Sequence, residues 1–419
     1  LEGLRRQDGI HAAALVISPD TITKFLPIQQ KGANAEIVTQ YEMHTVEQLG
    51  LLKMDFLGLR NLSIVDRTLE LIGNKSIDID NLELDDEKTF KLFAEGKMTG
   101  VFQLESRVAQ STSRSLKPKR FEDIVALVAL IRPGPLGAGM HNEFADRANN
   151  RKEIEYLHND LESILDETYG VILYQEQVMQ IAEKIAGFNL QEADNLRVAM
   201  GKKIPKVMEE QRKKFTNGAV SNNYSEQFAV ELFDQIAYFA GYGFNKSHSV
   251  PYALLAYQTA YLKANYPAEY IAACLTAVKR DKDRTAIFLS EARDMGVKVS
   301  TPDINLSSSD FTVNDNEILF GLSAIRNVGD ITADKIVLER EENGNFASIE
   351  DFLSRIDSRT LNKRGVEALI QGGGLDKFGH TRMGMYDSAV DLIENAKDKK
   401  ADKENNQGTL FPTEETDLT

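Results

Sequence analysis

The chain has 419 residues, of which 42% are hydrophobic and 27% charged, with one cysteine and no tryptophan. This length predicts about two to four domains, and the ordinary globular composition excludes wholesale disorder, collagen and a coiled coil. The single Cys274 excludes a disulfide framework and a cysteine-based metal site. The longest strongly apolar run, residues 124–131, is far shorter than the roughly twenty residues that span a bilayer. We therefore expect a soluble chain from a reducing compartment, cut from a longer protein.

The charge distribution is more informative than the net charge. A net charge of −15 argues against a nonspecific nucleic-acid binder taken as a whole. Basic side chains nevertheless cluster at residues 117–120 and 202–214, within a middle region that is neutral overall. Because a polyanion responds to local basic faces, the total charge does not decide for or against nucleic-acid binding.

The first part of the chain has the pattern of mixed β and α structure. His11–Ser18 and Leu51–Leu57 are predicted strands, and the pattern becomes helical from about Asn61. Within Tyr174–Ala186, apolar residues recur at the spacing of one helix face. The segment Ser249–Pro251 predicts the start of a further helix.

The sequence pattern changes in the last part of the chain. Short β-like segments follow residues 301–303, and residues 321–340 predict two short helices around a turn at 328–330. From Lys397 onward charged and amide residues dominate, which predicts a disordered tail.

One acidic side chain stands out in the second predicted strand. Asp55 lies in an apolar segment, and burying a carboxylate is costly unless it is solvated, paired or bound to a cation. Asp55 is therefore either a strand-end residue paired with Lys53 or Arg60, or a metal ligand beside a Lys53 that engages a phosphate. Magnesium needs at least two nearby oxygen ligands, and no second acid lies two residues away.

Two basic segments are candidates for phosphate contact. In the first, four consecutive polar residues precede a predicted helix, where lysine, hydroxyl and backbone donors could hold a triphosphate: Asn245, Lys246, Ser247 and His248. The alternative is a capping loop with a solvated lysine. The second segment, residues 197–206, is either a phosphate-contacting helix end or an exposed basic helix terminus, and it lacks the spacing of a Walker A loop.

Two further segments predict contacts with other macromolecules. A helix-hairpin-helix, whose small residues let backbone N–H groups approach a DNA phosphate, is predicted around Arg326, Asn327, Val328 and Gly329. Asn327 stands where the usual pattern has glycine, and asparagine tolerates positive φ. A plain turn between helices is the alternative. In the polar tail, Gln407, Leu410 and Phe411 form a short string that fits a docking peptide or occurs by chance.

The chain resembles the C-family replicative DNA polymerases, the family of the bacterial DNA polymerase III alpha subunit. The resemblance extends over roughly residues 1–395 and is carried by strings in consistent order, among them LGLLKMDFLGLRNL, FEDIVALVALIRPGPL, YGVILYQEQVMQIA, FAGYGFNKSHS and GLSAIRNVG. It implies a mostly α-helical α+β fold with a partial nucleotidyltransferase-type palm, large helical fingers and a domain containing the helix-hairpin-helix.

The resemblance also implies domain boundaries. Residues 1–66 would be the C-terminal part of the palm and 67–280 the fingers. Residues 281–396 would form a clamp-binding-type domain with the helix-hairpin-helix at about 321–340, and 397–419 a disordered tail with a clamp-binding peptide.

The resemblance implies roles for particular residues. Asp55 matches a catalytic palm aspartate that binds two Mg²⁺ ions, and Lys53 matches the basic residue beside it. The remaining ligands belong to a PDxDxD-type motif that does not occur in this sequence. Nucleotide phosphate contact is implied for Arg197, Lys202, Lys203, Asn245, Lys246, Ser247 and His248.

The expected function is template-directed DNA synthesis in chromosomal replication in the bacterial cytoplasm, at the nucleoid. The implied partners are primer–template DNA, deoxynucleoside triphosphates, the sliding clamp and other replisome subunits, with no membrane. The 419-residue chain by itself is expected to be inactive, because two of three metal ligands are missing. The alternative is a noncatalytic module that binds DNA and the clamp.

Overall fold

The structure is a computed structural model that describes residues 9–33, 35–73, 77–202, 205–239, 243–357 and 359–404, with the backbone alone at 202, 205 and 397–404. It divides into two compact units, Leu1–Arg60 and Asn61–Thr419. No helix within the described ranges combines the length and apolarity that crossing a membrane requires.

The described part of the first unit is built from short strands, one α-helix and the 3₁₀ helix Ile22–Lys24. In chain order the strands and the α-helix are β1 (Ala14–Ile17), β2 (Ile28–Gln30), β3 (Ile37–Thr39), α1 (Met43–Gln48) and β4 (Leu52–Asp55). Strands β1 and β4 pair antiparallel, with Ala14 opposite Asp55 and Ile17 opposite Leu52, and β2 pairs antiparallel with β3. Both strands predicted from the sequence are present, each shorter than predicted.

The second unit is mostly helical. Its first fourteen helices are α2 (Arg60–Ile72), α3 (Glu87–Glu95), α4 (Arg107–Leu116), α5 (Phe121–Leu130), α6 (Pro133–Gly137), α7 (Met140–Ala148), α8 (Glu162–Leu165), α9 (Gln175–Ala186), α10 (Leu190–Lys202), α11 (Pro205–Ser221), α12 (Glu226–Phe239), α13 (Lys246–Asn265), α14 (Pro267–Val278) and α15 (Lys282–Asp294). A three-stranded sheet and five more helices follow: β5 (Lys298–Val299), β6 (Thr312–Asn314), β7 (Glu317–Leu319), α16 (Asp330–Asn343), α17 (Ile349–Arg355), α18 (Lys363–Gly372), α19 (Arg382–Asp387) and α20 (Ala389–Glu404). Short 3₁₀ helices lie at Ile22–Lys24, Ile79–Asn81, Asn159–Leu161, Asp166–Thr168, Leu322–Ala324 and Asp376–Phe378.

Helix α5 lies in the middle of one core of the second unit. Its residues from Asp123 to Leu130 are all buried, as expected for a helix that is apolar on every side. It packs against α13, and the hydroxyl of Ser249 on α13 donates a hydrogen bond of 2.7 Å to the Val125 carbonyl of α5. This contact fixes the first turns of α13, which carry the candidate phosphate-binding residues.

Helix α9 follows the apolar periodicity read from the sequence. Val178, Ile181, Ala182 and Ile185 are fully buried in a core shared with α8 and α10–α12. A Gly187 with φ of 67° ends the helix, as is usual at a C-terminal cap. The helix predicted here is therefore confirmed.

Two features differ from the sequence expectations. Helix α13 begins at Lys246, ahead of the predicted start at Ser249–Pro251, because the Asn245 side chain accepts a hydrogen bond from the N–H of His248 and caps the helix. Helix α20 continues to Glu404, so residues 397–404 of the predicted disordered tail are helical. Alanine, lysine and glutamate, which make up most of this segment, have high intrinsic helix propensity.

Candidate functional site

The segment before α13 is held by backbone pairing with the start of α9. Tyr174 and Phe244 form an isolated parallel bridge, in which the Gln175 N–H donates to the Phe244 carbonyl at 2.9 Å. The Phe244 N–H in turn donates to the Leu173 carbonyl at 3.2 Å. The Asn245–His248 segment is therefore positioned by residues about 70 positions earlier in the chain.

Lys246 is engaged by two carboxylates that sequence reasoning missed. Its ammonium group lies 2.5 Å from Oε2 of Glu167 and 5.6 Å from the centre of the Tyr174 ring. Its backbone N–H lies 2.9 Å and 3.1 Å from the two carboxylate oxygens of Glu176. The sequence does contain a signal, because Glu176 belongs to the YQEQ string used for the family resemblance. The solvated lysine of the capping-loop alternative is not what the structure shows.

The other members of the segment have different environments. Ser247 is exposed, and its N–H lies 3.5 Å from Oε1 of Glu176. The His248 ring is exposed and tilted against Tyr252, with ring centres 4.4 Å apart. Asn245 is committed to capping α13. Of the four predicted residues, Asn245, Ser247 and His248 are thus exposed, and the Asn245 side-chain oxygen is occupied by the helix cap.

Arg132 lies beside the same segment. Its guanidinium carbon is 4.0 Å from the centre of the Phe244 ring, a cation–π contact, and the residue is exposed. The structure places this cation on the aromatic residue that precedes Asn245.

The second basic segment is separate in its contacts. Arg197 on α10 pairs with Asp194 of the same helix at 2.8 Å. In the part of the chain that the structure describes, no hydrogen bond or ion pair joins Arg197 to the Asn245–His248 segment. The side chain of Lys202 and the whole of Lys203 lie outside the described residues.

Other basic residues near α10 and α11 are offset by local acids. Lys214 pairs with Glu192 at 2.7 Å, and Arg212 pairs with Asp234. Acidic side chains of the fold therefore offset part of the positive charge of residues 202–214.

The predicted hairpin is present between the 3₁₀ helix Leu322–Ala324 and α16. Asn327 has φ of 67°, the positive value that the sequence analysis allowed for asparagine. Val328 is 2% exposed and anchors the turn in the core, whereas Arg326, Asn327 and Gly329 are exposed. Three of the four residues predicted to contact DNA thus face solvent, and Val328 supports them from beneath.

Asp55 ends strand β4 and is exposed, which corrects the expectation of an acid in a buried apolar strand. Its apolar neighbours Leu52 and Met54 are exposed as well, at 54% and 40%. Lys53 donates hydrogen bonds to both Asp55 oxygens at 2.8 Å and 3.1 Å, and this contact lowers the pKa of the Asp55 carboxyl. The ion pair between Asp55 and Lys53, which the first of the two alternatives predicts, is present.

The fit of Asp55 to a magnesium ion is partial. An exposed, ionised carboxylate at a strand end is a suitable ligand, and hard oxygen donors are what Mg²⁺ prefers. Among the described residues, however, no group of three histidine, cysteine, aspartate or glutamate side chains lies close enough together to hold a metal. Asp55 could therefore supply one ligand, and the others would have to come from elsewhere.

The predicted docking string lies outside the described residues. Gln407, Leu410 and Phe411 all fall beyond Glu404, the last residue described. Their role stays a prediction from the sequence.

Protein-family models match segments in both units of the chain. Residues 1–58 match the family model of the bacterial DNA polymerase III alpha NTPase domain, and residues 61–223 match that of the bacterial DNA polymerase III alpha subunit finger domain. Residues 296–385 match a helix-hairpin-helix motif model, which includes the hairpin and helices α16–α18. The exact domain boundaries proposed from the sequence stay predictions.

Curated relatives match along nearly the whole chain. DNA polymerase III subunit alpha of Saccharopolyspora erythraea is 45% identical over 411 residues, which cover 96% of this chain and 34% of the relative. The Thermus aquaticus protein of the same name is 47% identical over 385 residues, covering 90% and 32%. The Mycobacterium tuberculosis H37Rv protein is 43% identical, covering 96% and 35%.

The chain belongs to the bacterial DNA polymerase III alpha subunit family. It spans about a third of the length of the curated relatives it matches. The family resemblance and the mostly α-helical α+β fold inferred from the sequence are both confirmed.

Proposed function

We propose that this chain is part of an enzyme that performs template-directed DNA synthesis in chromosomal replication. The observation that supports this most strongly is the 45% identity to a DNA polymerase III subunit alpha over 96% of the chain. The proposed substrates are primer–template DNA and deoxynucleoside triphosphates. The sliding clamp and other replisome subunits are the proposed partners, in the bacterial cytoplasm.

In the proposed reaction, the primer 3′-hydroxyl attacks the α-phosphate of the incoming nucleotide, a new O–P bond forms, and pyrophosphate leaves. Bound Mg²⁺ would lower the pKa of the hydroxyl and neutralise the leaving pyrophosphate. Asp55 would hold one such ion through its carboxylate, with Lys53 beside it orienting that carboxylate. Two ions need further ligands outside this chain.

The finger residues would bind and orient the triphosphate. Lys246, Ser247 and His248 lie in the first turn of α13, where the helix dipole favours an anion. The backbone N–H groups of Lys246 and Ser247 are held by the Glu176 carboxylate, so a phosphate would take the place of this carboxylate. Arg132 supplies a further cation beside Phe244. Holding the triphosphate in place fixes the in-line geometry of attack, which contributes through orientation. Arg197 on α10 is proposed to contact a phosphate, and so are Lys202 and Lys203, which come next among the basic residues of the sequence.

The role of Asp55 is tested by Asp55→Asn in a full-length polymerase that carries this segment. Nucleotide incorporation should fall by orders of magnitude while binding of primer–template duplex persists, because the amide keeps the shape and removes the charge. Glu47→Gln, an exposed carboxylate on α1, is the matched control. Near-normal turnover of Asp55→Asn would reject the catalytic role.

A second candidate function is a noncatalytic module that binds DNA and the sliding clamp. It is favoured by the match of residues 296–385 to a helix-hairpin-helix motif model and by the exposure of Arg326, Asn327 and Gly329 in the hairpin. Primer extension separates the two activities, since we expect the purified 419-residue chain to extend no primer. Extension by this chain alone would show that expectation to be wrong.

Clamp binding is tested in the tail. Leu410→Ala combined with Phe411→Ala should abolish recovery of the chain on immobilised sliding clamp, because two apolar anchors are the main contacts such a peptide offers. Leu418→Ala, an apolar residue of the same tail, is the control. Unchanged recovery of the double variant would remove the docking proposal.

A further inference from the structure

Lys279, the residue that follows α14, joins three segments of the second unit. Its ammonium group lies 2.6 Å from Oδ1 of Asp310 and 2.9 Å from the hydroxyl of Ser323, and it also bonds Oδ1 of Asp330. The Lys279 side chain is only 16% exposed. A lysine that uses all three donors on protein oxygens is committed to those contacts.

Asp330 is held from two directions. It is the first residue of α16 and follows Gly329, the last residue of the hairpin. One of its carboxylate oxygens bonds Lys279, and the other bonds the guanidinium of Arg280. The hydrogen bond from Lys279 lowers the pKa of the Asp330 carboxyl, so the group is ionised at neutral pH.

The position of this carboxylate is unfavourable for DNA binding by charge alone. The hairpin residues 326–329 are proposed to approach a DNA phosphate, and Asp330 places a negative charge beside them. Asp330 would repel DNA, yet two cations hold it in place beside the hairpin. This arrangement is explained if Asp330 sets the position of the hairpin.

The same contacts connect the hairpin with the nucleotide-binding segment. Helix α13 starts at Lys246, and α14 follows it after the single residue Tyr266. Lys279 caps the end of α14 and bonds the first residue of α16. Helices α13 and α14, followed by the ion pairs of Lys279, thus connect the Asn245–His248 segment with the hairpin. The network also crosses the domain boundary predicted between residues 280 and 281.

We propose that Lys279 is a positioning residue for DNA binding, which fixes the hairpin to the end of α14 through Asp330. This inference rests on the proposed contact between residues 326–329 and DNA. Lys279 and Asp330 themselves are not proposed to contact DNA.

The test compares two aspartates on the same helix by measuring the affinity of the 419-residue chain for a mixed-sequence DNA duplex. Asp330→Asn removes a negative charge near the hairpin and also removes the bonds to Lys279 and Arg280. Asp334→Asn removes an exposed charge one turn further along α16. If charge alone mattered, both variants would bind DNA more tightly. We expect Asp330→Asn to bind about five-fold more weakly and Asp334→Asn to bind equally or slightly more tightly.

The salt dependence of binding separates positioning from direct contact. Each phosphate contact that is lost lowers the slope of log affinity against log salt concentration by about 0.9. Arg326→Ala should therefore lower the slope, whereas Lys279→Met should weaken binding with the slope unchanged. Lys279→Arg should recover part of the affinity. The double variant Lys279→Met with Asp330→Asn should bind no more weakly than either single variant, because both changes break one network.

Three results would overturn the inference. The first is Asp330→Asn binding as tightly as Asp334→Asn, and the second is a slope for Lys279→Met that falls as it does for Arg326→Ala. The third is additive losses in the double variant. If the wild-type chain binds no duplex even at low salt, the proposal that the hairpin binds DNA fails, and the positioning role of Lys279 falls with it.

Discussion

The carboxylate of Glu176 accepts hydrogen bonds of 2.9 Å and 3.1 Å from the backbone N–H of Lys246, at the start of α13. A protein carboxylate therefore lies at the helix N-terminus where a nucleotide phosphate is proposed to bind. Because both groups are anions that use the same N–H donors, they compete for this position. Nucleotide binding would then require Glu176 to move away.

Glu176→Gln should increase the affinity of the 419-residue chain for dATP. Removing the competing charge frees the donors of Lys246 and Ser247 at little cost in packing, and an anion at a helix N-terminus is worth about 0.3–1 kcal/mol. This corresponds to an increase of about two- to five-fold, measured by isothermal titration calorimetry. Glu183→Gln, seven residues later on α9, is the control and should leave the affinity unchanged. Weaker binding by Glu176→Gln would mean that this residue supports the site.

The parts of the fold that local pattern decides were predictable from the sequence. The apolar stripe from Val178 to Ile185 gave α9, since helical period and burial coincide there. The hairpin geometry at Asn327 followed from the small set of residues that tolerate positive φ.

The parts that depend on distant contacts were not predictable. The ion pair between Lys246 and Glu167 joins residues 79 positions apart, and periodicity carries no information on such a pair. The exposure of Asp55 was missed for a related reason. An apolar strand is expected to be buried, but burial depends on what packs against it, and Leu52 and Met54 are exposed in this chain.

Lys263→Met should destabilise the second unit strongly. The ammonium group of Lys263 is fully buried and lies 2.6 Å from Oε1 of Glu291 and 2.7 Å from the Lys97 carbonyl. Breaking a buried pair by removing one partner costs about 3–5 kcal/mol, since the remaining charge stays uncompensated. Urea unfolding followed by circular dichroism measures this change in the free energy of unfolding.

The control for this change is Lys282→Met, at an exposed position of α15. It should alter the free energy of unfolding by less than about 0.5 kcal/mol. Combining Lys263→Met with Glu291→Gln should recover part of the loss, because no buried charge is then left alone. Equal stability of Lys263→Met and the wild type would contradict the assignment of a structural ion pair.

Alkaline titration of the tyrosines should occur in two phases. Burial raises the pKa of Tyr169 to about 12, together with the hydrogen bond of 2.8 Å that its hydroxyl donates to the Asp123 carboxylate. The hydrogen bond to Asp160 raises the pKa of Tyr224 to about 12. The ordinary pKa of a tyrosine is about 10. Tyr169 and Tyr224 should ionise at higher pH, as should Tyr257, because burial raises its pKa to about 12 as well. Ultraviolet absorbance of tyrosinate measures both phases.

The sign of the effect on stability follows from these pKa values. A tyrosine whose pKa is higher in the folded than in the unfolded chain stabilises the fold below about pH 10, and this contribution is lost as the pH rises towards 12. Asp160→Asn should lower the pKa of Tyr224 and move one tyrosine towards the first phase, leaving Tyr169 unchanged. A single phase near pH 10 for all tyrosines would disprove the prediction.

The rate at which a thiol reagent labels Cys274 should measure how often the core around α14 opens. Cys274 is fully buried, and burial raises the pKa of its thiol to about 12, so that almost no thiolate is present at pH 8. Because it is the only cysteine of the 419 residues, labelling with a thiol reagent has one possible site. We expect labelling of the native chain to be slow and to accelerate with urea in parallel with unfolding.

The control places a cysteine at the surface. Ser111→Cys, at an exposed position of α4 in a Cys274→Ala background, should label rapidly without urea. The ratio of the two rates at one pH then measures how rarely the core opens, after correction for the different thiol pKa values. If native Cys274 reacts as fast as the cysteine at position 111, the core around α14 is open in solution and the full burial of Cys274 is wrong.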